Sequence, residues 1–73
     1  MAGKKPIQQR FGERCRQLRR KLGLSQMDMV RHHDWSLSHY QKIERGALDT
    51  RLTTVERLAL SFKVTVAELL DGV

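Results

Sequence analysis

Rigid covalent and conformational frames are scarce in this chain. Its 73 residues include one cysteine, one proline, one tryptophan, one tyrosine and two phenylalanines. The lone cysteine, Cys15, excludes an internal disulfide framework and suits a reducing compartment. No apolar run approaches the roughly 18 residues of a membrane span. The basic start, Met1 to Pro6, is followed by no apolar signal region. A cytoplasmic protein without membrane contact is therefore expected. Internal repeats, low-complexity tracts and Gly/Ser linkers are also absent. The length suffices for one domain. A domain so small buries only about 60% of its unfolded surface, so a second copy would usefully extend its core.

What the chain does have is positive charge, unevenly placed. The formal net charge is +6. Residues 1–25 carry Lys4, Lys5, Arg10, Arg14, Arg16, Arg19, Arg20 and Lys21 against Glu13 alone. Residues 47–73 carry Arg51, Arg57 and Lys63 against Asp49, Glu56, Glu68 and Asp71. One end suits polyanions and the other does not. A solvated basic helix is the simpler alternative, since basic patches are common.

Periodicity and capping signals predict an all-α bundle of five helices. Residues 1–6 form a basic arm, and residues 7–73 form one domain. Ile7, Phe11, Cys15, Leu18 and Leu22 lie on one face of a helix that Gly23 stops. Ser25-x-x-Asp28, Thr53-x-x-Glu56 and Thr65-x-x-Glu68 read as capping boxes, and Ser36 as a lone cap. The expected helices span about 7–22, 26–33, 37–44, 53–62 and 66–71. The expected core is Ile7, Phe11, Cys15, Leu18, Leu22, Met29, Val30, Trp35, Tyr40, Ile43, Leu52, Val55, Leu58, Ala59, Phe62, Val64 and Leu69.

The second and third helices are joined by a turn of about three residues, short enough for the first to brace the second at a steep angle. Asp34 would occupy the corner, because aspartate tolerates left-handed backbone better than most residues. Tyr40 and Ile43 would face inward. Leu37, Ser38, His39, Gln41, Lys42 and Arg45 would remain outside, a mostly polar face suited to base edges and phosphates of double-stranded DNA. Ser36 opens that helix. Gln26 begins the supporting helix, where free backbone N–H groups favour a phosphate.

Three segments resemble the phage repressor/Cro (Xre) family of helix-turn-helix proteins. They are Phe11 to Arg19 with Gly23-Leu24-Ser25-Gln26; Tyr40 to Gly46, ending Ile43-Glu44-Arg45-Gly46; and Leu52 to Ala59 with Val64 to Leu70. The similarity runs without a gap over residues 11–70. It implies a five-helix fold, a two-fold dimer on operator DNA, and Gln26 on phosphate. It also implies Leu37, Ser38, Gln41 and Lys42 at base edges, with His39 and Arg45 nearer the backbone. Arg19 and Glu44 would form a buried or half-buried ion pair. Small stand-alone members that the chain resembles include phage regulators, restriction–modification controllers and antitoxins that repress their own operon.

Departures from the family pattern fall near the corner. Val30 stands where a small alanine is usual, His33 where an apolar residue is usual, and Asp34 where glycine is common. Thr50 replaces a common proline, and Leu37 a frequent long polar residue. Leu37 is expected to touch a thymine methyl.

Other chemistries fit less well. Adjacent helical histidines such as His32 and His33 diverge by about 100°, and no metal-ligand spacing is present, so no metal is expected. Cys15 lies on an apolar face with no histidine placed to activate it. With no paired acid and base, phosphate loop or metal frame, neither an enzyme nor a small-molecule substrate or cofactor is expected. Leu48, Val66, Leu70 and Val73 exceed what a small bundle can bury and are assigned to a homodimer contact. Two alternatives remain: an antitoxin, for which no tail beyond Val73 supplies a toxin-binding surface, and a protein-interaction module that keeps the fold.

Overall fold

The computed structural model describes residues 5–73. Of the expected arm, Met1 to Lys4 lie outside the described residues. Five helices follow: α1 (Ile7–Lys21), α2 (Gln26–His33), α3 (Leu37–Arg45), α4 (Leu52–Phe62) and α5 (Val66–Leu69). Among the described residues there is no strand, and no helix is long and apolar enough to cross a membrane.

Each helix start can be traced to a particular residue. Pro6 opens α1: its carbonyl accepts from the N–H groups of Gln9 and Arg10 at 3.0 and 3.2 Å. At α2 the Ser25 hydroxyl accepts from the Asp28 N–H at 3.0 Å, while the Asp28 carboxylate accepts from the Ser25 N–H at 2.7 Å. Thr65 and Glu68 repeat the arrangement at α5. In both boxes the backbone donor holds the carboxyl below its ordinary range. The expected box at Thr53 does not form. The chain is already extended at Arg51 (φ −67°, ψ 151°) and helical from Leu52, so Thr53 lies inside the first turn and cannot cap it.

Four helices end by one device, a left-handed residue followed by a bond back across the last turn. The returning bonds are Leu24 N–H to Arg19 O, Trp35 N–H to Met29 O, Ala47 N–H to Lys42 O and Val64 N–H to Ala59 O. Glycines 23 and 46 take two of the left-handed positions; Asp34 (φ 59°) and Lys63 (φ 58°) take the others. Lys63 is exposed and gains nothing visible from its strained backbone. Lys63→Gly should therefore stabilise the domain by about 1 kcal/mol. That corresponds to a rise of roughly 4–8 °C in a thermal melt, and an unchanged or lower midpoint would contradict it.

The core gathers one face of every helix. Phe11, Cys15 and Leu18 from α1 meet Met29, Trp35, Tyr40 and Ile43, with Val55, Leu58, Ala59 and Phe62 from α4 and Leu69 from α5. Three residues expected there are instead exposed: Ile7 (58%), Leu22 (49%) and Leu52 (82%). They occupy the first turn of α1, the residue after its last turn, and the first position of α4, where helix ends project past the bundle. Val30 and Val64 are only half-buried. α5 stops at Leu69, and Leu70 to Gly72 form a turn.

Arginines tie the outer elements together. Arg14 donates to the carbonyls of Leu69 (3.2 Å) and Glu68 (2.6 Å), and Arg10 donates to the carbonyl of Val73. These guanidiniums neutralise the carbonyl-rich end of α5, the arrangement its dipole favours. Lys5 pairs with Glu13 at 2.5 Å. Part of the basic character of residues 1–25 thus serves the fold.

Candidate nucleic-acid interface

α3 lies across α1 and is braced by α2. It buries Tyr40, Ile43 and Glu44. Ser36, Ser38, Lys42 and Arg45 are exposed, while Leu37, His39 and Gln41 are half-buried. The Ser36 hydroxyl accepts from the His39 N–H at 3.4 Å, so it acts as the cap of α3. His39 sits against the Trp35 ring, centroids 6.0 Å apart, beside the connection to α4. Arg45 lies at the other end of α3, where it borders Arg16 and Gln41.

The corner before α3 is clamped by α4. Asp34 adopts left-handed backbone (φ 59°, ψ 38°), which turns Trp35 into the core. The Trp35 indole N–H donates to the Ser61 hydroxyl at 3.0 Å, and that hydroxyl donates to the Arg57 carbonyl at 3.0 Å. The Arg57 guanidinium lies 3.9 Å over the Trp35 ring and donates to the Asp34 carbonyl. A cation over indole contributes about 0.5–2 kcal/mol. Arg57 and Ser61 were not expected from the sequence. A buried tryptophan needs a partner for its N–H, and that need was the available signal.

Beneath the outer face of α3 lies a buried ionic network. Arg19 grips Glu44 with two bonds, Nε to Oε2 at 2.7 Å and Nη2 to Oε1 at 3.1 Å, and its Nη1 donates to the Leu24 carbonyl at 2.8 Å. Gln26 Nε2 donates to Glu44 Oε1 at 3.1 Å, and Gln41 Nε2 donates to Gln26 Oε1 at 3.2 Å. Arg16 stands 3.6 Å from the same carboxylate. Burial pushes the Glu44 pKa up, but donation from Arg19, with the Tyr40 hydroxyl and Gln26 adding to it, outweighs burial and holds the carboxyl below its ordinary range. Tyr40 acts on Glu44 by proximity: its buried hydroxyl falls outside hydrogen-bond geometry with any described group. Burial first, then the Glu44 charge, pushes the Cys15 thiol up to about 12, which makes it a poor nucleophile.

Of the four residues assigned to a dimer contact, Val66 and Leu70 are exposed, at 40% and 39%. Leu48 and Val73 are half-buried against the protein's own core. Two of the four, Leu70 and Val73, line an apolar groove of about 200 Å³ with Ile7, Phe11, Leu52 and Val55. Leu48 borders a separate depression with His39 and Thr54.

A short corner, a capped supporting helix and a second helix with its polar side outward define a helix-turn-helix DNA-binding domain. The chain belongs to the helix-turn-helix domain family, whose model matches residues 10–71. It is 36% identical over 61 residues to the HTH-type transcriptional regulator DdrOP3 of Deinococcus deserti, a match covering 84% of this chain and 47% of that protein. The chain thus spans about half the length of that curated relative. The fold is also similar to the crystal structure of the restriction-modification controller protein C.AhdI from Aeromonas hydrophila. That match has a TM-score of 0.79 at 30% identity and covers 86% of this chain and 96% of the other. The resemblance to the repressor/Cro family agrees with all three findings.

Proposed function

We propose that the chain is a sequence-specific DNA-binding transcriptional regulator that acts as a dimer on a near-palindromic operator. The observation that carries this is α3 itself: a rigidly braced helix whose Ser38 and Lys42 stand exposed, with Leu37 and Gln41 beside them. Such a helix enters the major groove with its N-terminal residues on base edges. Leu37 contacts a thymine methyl, Ser38, Gln41 and Lys42 take polar base edges, and His39 and Arg45 meet the flanking backbone. The N-terminus of α2 at Gln26 faces a phosphate. Membership of the helix-turn-helix family and likeness to a transcriptional regulator and a controller protein support the assignment.

Dimerisation is supported by the apolar groove, where Ile7, Leu52 and Leu70 are exposed together. On a near-palindromic operator the two recognition helices of such a dimer would lie about 34–36 Å apart, one helical turn of DNA. Footprinting of duplexes selected by the purified protein, at two salt concentrations, tests the proposal. A protected, near-symmetric sequence is expected; protection no stronger than on random DNA would defeat it. Lys42→Ala and Leu37→Ala should each relax the preference at different bases. A uniform loss over all sequences from both variants would mean that another face reads the DNA.

A further inference from the structure

The amide of Gln41 is tethered to the buried ion pair. Glu44, its side chain 1% exposed, accepts from Gln26, and Gln26 accepts from Gln41. An ionised carboxylate only accepts. The Gln26 amide must therefore turn its NH₂ toward Glu44 and its carbonyl toward α3. A carbonyl also only accepts, so Gln41 must turn its NH₂ toward Gln26. Amide nitrogen and oxygen are ordinarily interchangeable in such a chain. Here the charge at the buried end fixes the sense of both.

Resting on the DNA-reading proposal above, we propose that Glu44 and Gln26 are positioning residues that decide which atoms Gln41 offers to a base, and that the offered pair selects adenine. One N–H of Gln41 is committed to Gln26. The remaining edge carries the Oε1 acceptor and the second N–H. In the major groove adenine presents the matching pair, a donor at N6 and an acceptor at N7. Guanine presents two acceptors there. An untethered glutamine flips its amide to suit guanine, whereas the tethered one sets its oxygen against O6. The contact from Gln26 thus changes specificity without Gln26 touching the base.

The test selects binders from a pool of randomised DNA duplexes with the full chain, with Gln26→Met, with Gln41→Ala and with both. The parent should enrich adenine at one position of each half-site. Each single variant should cut that preference on the order of tenfold and leave the preferences due to Leu37 and Lys42 in place. The double variant should lose little more, as expected for residues acting as a unit. Unchanged adenine preference in Gln26→Met overturns the proposal, and so does an equal loss on every sequence, which would mark a plain phosphate contact. If the parent enriches no sequence, the DNA-reading proposal fails instead. The tether is then judged by side-chain amide order in the free protein, measured by NMR. Gln26 and Gln41 amides should be ordered and the exposed Gln17 mobile; a Gln41 amide as mobile as that of Gln17 overturns the tether whether or not the variants fold.

Discussion

Glu44→Ala is expected to leave the domain unfolded or barely folded near room temperature. The substitution strands the Arg19 guanidinium, only 10% exposed, without its counter-charge. It also removes the acceptor of Gln26. Losing one partner of a buried pair costs about 3–5 kcal/mol. A chain this long has roughly 4–11 kcal/mol in total. A melting curve matching the parent's would refute the assignment of Glu44 as the central acceptor. The same group sets an acid limb. In the folded chain its carboxyl is held below the ordinary glutamate range. Its stabilisation is therefore complete above about pH 4.5 and is lost as pH falls through the folded value. Glu44→Gln should flatten that part of the stability profile.

Gly12→Ala should also destabilise the domain, by less and for a purely steric reason. Gly12 is buried in the middle of α1, where that helix crosses α3. A Cβ there would fall 2.5 Å from the Ile43 carbonyl oxygen, and closer still to that of Glu44. These are backbone atoms of α3 and cannot step aside like the end of a side chain. Overpacking of this kind costs about 3 kcal/mol or more. Alanine's better helix propensity returns only about 1 kcal/mol. The net loss of about 2 kcal/mol corresponds to a fall of roughly 8–16 °C in melting temperature. A midpoint equal to or above the parent's would show that α1 and α3 can separate freely. Gly12→Val should then serve as the harsher version of the same test.

The helices were legible because their signals are local. Gly23, the Ser25–Asp28 and Thr65–Glu68 boxes and the Ser36 cap each act within a few residues of chain. Thr53 misled because a box motif states which residues suit a cap, whereas the start of α4 is set by the extended backbone that delivers Arg51. Ile7, Leu22 and Leu52 misled because periodicity reports the side of a helix but not how far its ends overhang the bundle. Within the site, the outward side chains of α3 follow from its buried stripe of Tyr40 and Ile43. The Arg19–Glu44 partnership entered only through family resemblance, since 25 residues separate the two. The clamp of Arg57 and Ser61 on the corner, and the chain from Glu44 through Gln26 to Gln41, depend on tertiary placement. No spacing rule announces them.

The corner also gives the protein a built-in optical probe. The chain's one tryptophan is Trp35. It stands under Arg57, with the His39 ring 6.0 Å away at a 57° tilt. Its emission should therefore respond to any event that shifts α3 against α4. Displacement of α3 becomes measurable in unlabelled protein, as a change in colour and intensity from a single residue.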